Sequence, residues 1–226
     1  MTNAQGLGVE IIVNGSPLRE IAHNGKCYVA APHNQDYAIR VHVPRGGRYE
    51  GIISVDGLDV LTGKTASALN KGYIMTAADF LGDNDLLGFR LNKNEVAKFR
   101  FGAPGDSYAA QLDKPDNIGV IAIVVYAEQH FETPVCRGGA TRGGVTRGGT
   151  RGHDTGTEFG DRTEQRVETT KIPFQRGPEV ARFVIEYASA DSLRQAGILV
   201  DPPLGAVNPF PADTGCTPPK NWHGNR

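Results

Sequence analysis

The chain has 226 residues, of which 39% are hydrophobic, and its 24 basic and 25 acidic side chains give a formal net charge of −1. This balance excludes a global electrostatic attraction to nucleic acid or membranes, so any such affinity must be local. The 29 glycines and 14 prolines favour many short strands and turns over long helices. A chain of this length can bury a sizeable core in one β domain.

Alternating apolar residues and turn dipeptides mark the first hundred residues as β-structure. An apolar face over residues 9–13 ends at Asn14-Gly15, and a second extended piece ends at Asn24-Gly25. Both dipeptides suit the positive φ angles of a type I′ hairpin turn. The same patterning predicts further strands over residues 37–43, 49–55, 58–61, 72–75, 88–91 and 95–101.

The strongest core candidate is the continuous apolar run over residues 118–125. Such a run is typical of a central strand that is covered on both faces. We therefore predict a strand over residues 118–128 in which Ile121, Ile123 and Val125 are nearly fully buried.

A degenerate five-residue repeat, RGGATRGGVTRGGTRG, follows at residues 137–152 and contains four arginines, seven glycines and no acidic residue. Glycine maximises backbone freedom and the arginines repel one another, so this segment cannot offset its ordering entropy by burying apolar surface. We interpret residues 137–167 or so as an Arg/Gly-rich loop inserted into a β-sandwich domain over residues 1–200.

The remaining residues of that domain are predicted to form strands over 168–174 and 181–187 and one short helix near 189–196. Ser189 can cap this helix, Asp191 favours its positive N-terminus, and Gly197 can close it. Residues 201–226 contain six prolines, which keep them out of a sheet interior and predict an extended C-terminal arm. The expected fold class is all-β, a mostly antiparallel sandwich or jelly roll.

Several short patterns imitate catalytic or metal sites without the surroundings that such chemistry needs. Asp154-Thr155-Gly156 and Asp213-Thr214-Gly215 match the aspartic-protease triplet, but neither follows a buried apolar strand. Gly63-Lys64-Thr65 lacks the earlier glycine of a phosphate-binding loop. Asp83-Asn84-Asp85 lacks the later glutamate of a calcium loop. We expect ordinary turns at these positions, no catalytic residue, no metal and no cofactor.

Cysteine usage and the N-terminus indicate where the protein is made. Cys27, Cys136 and Cys216 fit neither a disulfide framework nor a metal-binding spacing, so reduced thiols in a cytosolic environment are expected. No secretory leader or membrane-spanning run is apparent in the sequence.

Three interpretations of the Arg/Gly repeat remain open. Its guanidinium groups suit phosphates and stacked bases, which would make it a nucleic-acid ligand. The other two interpretations are a solvated loop and a loop that docks on acidic protein surface in an assembly. We favour the protein contact, because acidic residues follow the repeat and no platform of adjacent aromatics accompanies it. The predicted partner-binding residues are Arg137, Arg142, Arg147 and Arg151 of the repeat, with Phe210 and Trp222 of the arm.

The stretch SVDGLDVLTGKTAS at residues 54–67 and the plainer motifs that follow it resemble a family of uncharacterised β-rich proteins from bacteria, prophages and tailed phages. The resemblance covers residues 26–198 or so. It implies a β-rich domain without an established reaction, and the chain departs from the family pattern in the length of its Arg/Gly insertion and in its proline-rich tail.

These observations together predict a non-enzymatic phage virion protein. We expect a capsid decoration or cement protein, with collar or tail as the other location, made in the host cytoplasm and carried in the virion. Its expected partners are major capsid or other virion proteins, in a homo-oligomer or symmetric assembly away from membranes. The alternative is a soluble carbohydrate- or small-ligand-binding β module, which would need an apolar or aromatic-lined pocket within one chain.

Overall fold

The computed structural model describes residues 1–77, 85–129, 154–167 and 172–199, in which short strands alternate with tight turns. In chain order the elements are β1 (Gly8–Val13), β2 (Ser16–Pro17), β3 (Glu20–His23), β4 (Lys26–Ala30), β5 (Asp36–His42), β6 (Tyr49–Val55), β7 (Leu58–Asp59), β8 (Tyr73–Met75), β9 (Gly88–Arg90), β10 (Glu95–Gly102), α1 (Tyr108–Gln111), β11 (Val120–Glu128), β12 (Gly156–Glu164), β13 (Arg176–Ala188) and α2 (Ala190–Gln195).

The strands form two sheets that enclose a shared hydrophobic core. The first sheet has the order β12-β10-β5-β1-β2, with β9 also paired to β10. The second has the order β3-β4-β13-β11-β6-β7, with β8 also paired to β6. Within the described residues every strand pairing is antiparallel except that of β13 with β4. The predicted all-β, mostly antiparallel fold class is therefore confirmed.

The predicted central strand is β11, which lies between β6 and β13 in the second sheet. Its inward side chains Ile121, Ile123 and Val125 are 1%, 0% and 0% exposed, which confirms the prediction for all three. On the facing first sheet, Tyr37 of β5 stacks on Phe99 and Phe101 of β10, with ring centroids 5.2 and 4.2 Å apart. The interior is thus filled from both sheets, as expected for a sandwich.

The predicted tight turns adopt the backbone conformation that their sequences favour. The φ angles at Asn14, Asn24 and Asp56 are 51°, 48° and 53°. Each is followed by a glycine, with φ angles of 78°, 75° and 79°. Two successive residues with positive φ are the signature of a type I′ turn, whose twist matches that of the strands it joins.

Two predicted strands differ from the structure over their described residues. The strand predicted over 58–61 ends at Asp59 because the Asp59 carboxylate accepts hydrogen bonds from the backbone of Leu61 and Thr62, at 3.0 and 2.9 Å, which closes a turn in place of the ladder. Of the strand predicted over 168–174, only residues 172–174 are described, and they lie in no strand. Pro173 cannot donate to a ladder, and Arg48 binds the carbonyl oxygens of Ile172 and Pro173 at 3.0 and 3.4 Å.

The predicted Arg/Gly-rich loop over residues 137–167 needs correction at its C-terminal end. Residues 156–164 form β12, which pairs along its length with β10 from Gly102↔Gly156 to Glu95↔Glu164. β12 is the last strand of its sheet, and only its first two residues are buried. Its sequence, GTEFGDRTE, therefore does not alternate apolar with polar side chains. The Arg/Gly repeat at residues 137–152 and the predicted C-terminal arm lie outside the described residues.

A buried ion pair holds the segment between β7 and β8 against the second sheet. Glu50 is 5% exposed and accepts hydrogen bonds from Arg176 Nε at 2.6 Å and from the backbone N–H of Gly72 at 2.8 Å. Arg176 also donates to the carbonyl oxygen of Ala68 at 2.9 Å and stacks over the Tyr126 ring at 4.7 Å. Partial burial raises the pKa of Glu50, but the hydrogen bonds from Arg176 and Gly72 outweigh it and lower the pKa overall.

We expect Glu50→Gln to lower the free energy of unfolding by about 1–3 kcal/mol, because it replaces charge-assisted hydrogen bonds with weaker ones and leaves the cation incompletely paired. Urea unfolding followed by circular dichroism measures the change. The matched control is Glu179→Gln, which removes a carboxylate from an exposed pair with Arg182 and should change the stability little. Equal effects of the two substitutions would contradict the structural role of Glu50.

Candidate functional site

The six predicted partner-binding residues, Arg137, Arg142, Arg147, Arg151, Phe210 and Trp222, lie outside the described residues. What the structure describes is where the chain enters and leaves the two segments that carry them. Gln129 precedes the Arg/Gly segment and Asp154 follows it, while Leu199 precedes the C-terminal arm.

Asp154 is fixed to the start of helix α2. Its Oδ1 accepts a hydrogen bond from the backbone N–H of Ser189 at 2.9 Å, and its Oδ2 accepts one from the Ser189 hydroxyl. Ser189 in turn caps α2, since its Oγ accepts from the backbone N–H of Ser192 at 3.1 Å, as the sequence predicted. Partial burial raises the pKa of Asp154, but the hydrogen bonds from Ser189 outweigh it, so the pKa lies below its ordinary value.

Leu199 is held at the same helix. Backbone N–H groups of Ile198 and Leu199 donate to the carbonyl oxygen of Leu193, at 2.9 and 3.0 Å. The side chains of both residues pack against a small apolar cluster formed by Tyr28, Ala188 and Leu193. Leu199, the last described residue before the C-terminal arm, therefore lies beside α2.

Gln129, by contrast, lies at the other end of the sandwich. Its backbone N–H donates to the carbonyl oxygen of Gln175, just before β13, whereas Asp154 binds Ser189, just after β13. β13 has 13 residues, which at roughly 3.3 Å per residue places the two attachment points roughly 40 Å apart. The two described residues that flank the Arg/Gly repeat, Gln129 and Asp154, thus lie at opposite ends of the sandwich. Asp154 lies at α2, as does Leu199, which precedes the arm.

Among the described residues, a network of polar side chains lies between the sheets; its members are Tyr37, Asp56, Thr157 and Tyr187. The Asp56 carboxylate accepts from the Tyr187 hydroxyl at 2.6 Å and from the backbone N–H groups of Gly119 and Thr157 at 2.9 and 2.7 Å. The Thr157 hydroxyl lies 2.6 Å from that of Tyr187 and 2.8 Å from that of Tyr37. An ionised Asp56 can only accept hydrogen bonds, so the Tyr187 hydroxyl donates to Asp56. The Thr157 hydroxyl then donates to Tyr187, and the Tyr37 hydroxyl donates to Thr157.

This network is sealed from solvent and acts as structure. Asp56 is 1% exposed and Thr157 is 0% exposed, so a substrate has no access to their oxygen atoms. Burial raises the pKa of Asp56 from its ordinary 3.8 to about 6, although hydrogen bonds from Tyr187, Thr157 and Gly119 counteract the burial. Burial likewise raises the pKa of Tyr37 and of Tyr187. The four side chains connect the two sheets through hydrogen bonds that a solvated site would lack.

The catalytic look-alikes take structural positions where they are described. Asp154 accepts hydrogen bonds from Ser189, the residue that caps α2. Asp213, in the second copy of the protease-like triplet, lies outside the described residues. Gly63 has a φ angle of 65° and closes the turn on Asp59, whose carbonyl accepts its N–H at 2.8 Å. Asp85 forms a two-pronged ion pair with Arg40, at 2.7 and 2.8 Å.

The described residues also bear on metal binding, thiol chemistry and membrane insertion. They hold no cluster of three or more His, Cys, Asp or Glu side chains that could bind a metal ion. Cys27 is a buried free thiol, and its burial raises its pKa; Cys136 and Cys216 lie outside the described part of the chain. No helix in that part is long and apolar enough to cross a membrane.

A surface hollow lies beside the turn between β9 and β10. It is lined by Asn92, Lys93, Asn94, Glu95 and Glu164. These side chains are polar and none is aromatic, whereas sugar and small-ligand sites are lined mainly by apolar and aromatic groups. The hollow thus lacks the chemistry that the alternative function requires.

Sequence reasoning missed the anchoring of Asp154 and the hydrogen-bonded network around Asp56. It interpreted Asp56-Gly57 correctly as a turn but assigned no partner to the carboxylate. The partners lie 63, 101 and 131 residues away in sequence, and no local pattern indicates them.

Comparison of the chain with protein-family models, with curated proteins and with solved structures finds no match.

Proposed function

We propose that the protein is a non-enzymatic structural component of a phage virion, a capsid decoration or cement protein. It binds major capsid or other virion proteins through the Arg/Gly segment, residues 137–152, and through the C-terminal arm, residues 201–226. The family resemblance described above motivates the phage context.

The observation that carries the proposal is the meeting of both segments at α2. Asp154 is hydrogen-bonded to Ser189 at the start of that helix, and Leu199 packs on Leu193 within it. The described residues that flank these two segments of unusual composition therefore both lie at α2. A bipartite contact of this kind raises affinity, since binding of one segment increases the effective concentration of the other.

The two segments supply complementary kinds of binding energy. Four arginines in a glycine-rich segment offer bidentate donors for acidic protein surface, which speeds encounter and selects the partner. The arm offers Phe210 and Trp222 as large apolar anchors, and its prolines lower the entropy lost when an extended segment becomes ordered. The sealed interior of the sandwich supports a scaffold role, because its polar groups are already paired with one another.

Two variants test the proposal against phage particles purified on a density gradient. The first replaces Arg137, Arg142, Arg147 and Arg151 by Ser, and the second ends the chain at residue 200. Both should fold with nearly unchanged stability. Mass spectrometry of the particles should then find the wild-type protein at a fixed ratio to the capsid protein and both variants strongly depleted, the first in a salt-sensitive manner.

The control for lost charge replaces four exposed cations of the sandwich, Arg19, Lys64, Lys93 and Lys114, by Ser. This variant should enter particles like the wild type. Undiminished incorporation of both segment variants would overturn the proposal, as would absence of the wild-type protein from purified particles. Tight binding of a random RNA or DNA oligomer at physiological salt, lost in the arginine variant, would favour a nucleic-acid function instead.

A further inference from the structure

One edge of β12 is open within the described part of the chain, where all strand pairing of β12 is with β10. At the start of the strand the N–H of Thr157 is already used, because it donates to the buried Asp56 carboxylate at 2.7 Å. In the middle, the register with β10 shifts, which places a β-bulge at residues 160–161. The regular part of the open edge is therefore residues 162–164.

The backbone groups of Arg162 and Glu164 point to the open side of this edge. Gln165 donates its N–H to the carbonyl oxygen of Asn94 at 2.8 Å, on the side of β10. Because the hydrogen-bonding direction alternates along a strand, Thr163 also points to β10, whereas Arg162 and Glu164 present N–H and C=O groups to the open side. Groups of this kind are a template for a strand from another chain.

The side chains of Arg162 and Glu164 are exposed and opposite in charge. They are 68% and 66% exposed, and each has only a surface ion pair, Arg162 with Glu95 at 3.6 Å and Glu164 with Arg166 at 2.8 Å. Both lie on the same face of the sheet, since their partners on β10, Ala97 and Glu95, are two residues apart. Surface pairs contribute little to folding, so these side chains can exchange partners at little cost.

We propose that β12 pairs antiparallel with β12 of a second copy of the chain, so that Arg162 lies opposite Glu164 of the second copy. Two-fold symmetry repeats this ion pair, and at each one the two residues exchange both backbone hydrogen bonds. Thr163 lies on the two-fold axis. A shift by two residues places Arg162 opposite its own copy, or Glu164 opposite its own copy, so the charges select one register.

The same arrangement brings chain from the second copy past an exposed aromatic ring. Phe159 is 39% exposed and contacts Tyr108, with ring centroids 4.6 Å apart. Residues 165–167 continue the line of β12, since Val167 donates its N–H to the carbonyl oxygen of Lys93 at 2.9 Å. In the antiparallel pair these residues of the second copy run beside Phe159, which gives an otherwise polar contact an apolar part.

The contact between copies does not rest on the proposed virion function. Purified protein alone tests the contact, whereas incorporation into particles tests the function. Charges on an edge strand commonly prevent pairing with other chains. Here their alternating sign permits pairing with the chain's own copy in one register, and this property can be reversed by substitution.

Charge reversal tests the register by sedimentation velocity at low salt. The sedimentation coefficient of the wild-type protein should rise with protein concentration. Arg162→Glu and Glu164→Arg each place like charges opposite one another, and each should weaken self-association by about ten-fold or more. The double variant Arg162→Glu/Glu164→Arg should associate like the wild type, and so should an equimolar mixture of the two single variants, because opposite charges again face one another. A role of either side chain in folding alone would not produce this recovery.

A cysteine in place of Thr163 tests the two-fold axis. Thr163 and its copy form a pair without backbone hydrogen bonds, in which the Cα atoms lie ~4.5 Å apart, within reach of a disulfide. Thr163→Cys, in a chain that keeps buried Cys27 and has Ser in place of Cys136 and Cys216, should form a linked dimer rapidly in oxidised glutathione. Asp161→Cys is the matched control, since Asp161 is 80% exposed but lies ~13 Å from its copy.

Arg19→Glu carries the same charge change as Arg162→Glu at another exposed position, and it should associate like the wild type. A wild-type protein that stays monomeric up to millimolar concentration would leave the edge to a different occupant and overturn the proposal. Failure of the double variant to associate would overturn it as well. So would cross-linking of Thr163→Cys that is no faster than that of Asp161→Cys.

Discussion

Replacing Asp56 by Ala should lower the free energy of unfolding by roughly 3–6 kcal/mol, a large part of the stability of an average domain. The substitution removes the acceptor for three buried donors, namely the Tyr187 hydroxyl and the N–H groups of Gly119 and Thr157. Each donor then remains in an apolar interior without a partner, and each costs about 1–3 kcal/mol, with incomplete additivity among neighbours.

The backbone at Asp56 adds a smaller cost that a control can isolate. Its φ angle is 53°, in the left-handed region that Ala tolerates less well than Asp. Asp113 has a φ angle of 56° and an exposed side chain, so Asp113→Ala measures the backbone cost by itself. Chemical denaturation of both variants gives the difference due to the buried carboxylate, and a similar loss of stability in both would contradict the role assigned to the network.

The same carboxylate should give the stability a characteristic pH dependence. The folded-state pKa of Asp56 is about 6, above the unfolded value of about 3.9. The folded protein therefore binds the proton more tightly, and this contribution to stability is complete below the unfolded pKa and is lost as the pH rises through 6. The difference of about two pKa units corresponds to a decrease of about 3 kcal/mol in the free energy of unfolding between pH 4 and 7.

Asp56→Asn separates this effect from that of other titrating groups. Asn tolerates the same backbone conformation and cannot ionise, although its NH₂ group faces an N–H donor. The free energy of unfolding of the wild type minus that of Asp56→Asn should decrease as the pH rises from 4 to 7. A difference that stays constant over this range would show that Asp56 does not titrate in the folded protein near pH 6.

Local sequence patterns were sufficient to predict most of the sandwich. Alternation in 37–43 and 49–55 reproduced β5 and β6 within one residue, because burial on one face imposes the period of two directly on the sequence. Asn14-Gly15 and Asn24-Gly25 located hairpin turns, because few other residues accept the positive φ angles that these turns require. These features depend on neighbours in sequence and are readable for that reason.

β12 and the α2 attachment of Asp154 escaped prediction because both depend on contacts between distant segments. Edge strand β12 exposes Asp161, Arg162 and Glu164, so it carries no hydrophobic alternation beyond its first residues. Asp154 and Ser189 are 35 residues apart in sequence, and an Asp after an arginine–glycine repeat has no local property that indicates a helix 35 residues later. The parallel pairing of β4 with β13 joins still more distant residues, from Cys27↔Ile185 to Ala30↔Ala188.

Replacing Ile123 by Ala in the middle of β11 should lower the free energy of unfolding by about 2–4 kcal/mol, from the lost transfer of buried carbon atoms and from the cavity that remains. Ile123 is 0% exposed and is paired with Ile53 on β6 and with Phe183 on β13. These neighbours belong to long central strands and cannot move inward to fill the space without disturbing their own ladders.

Leu69→Ala is the matched control, since it removes the same number of carbon atoms from a side chain that is 89% exposed. It should change the stability by no more than about 0.5 kcal/mol. Urea unfolding of both variants, with equal dependence of the free energy on denaturant, gives the comparison. A loss for Ile123→Ala no greater than that for Leu69→Ala would place β11 outside the packed core, and the two-sheet arrangement around it would then be wrong.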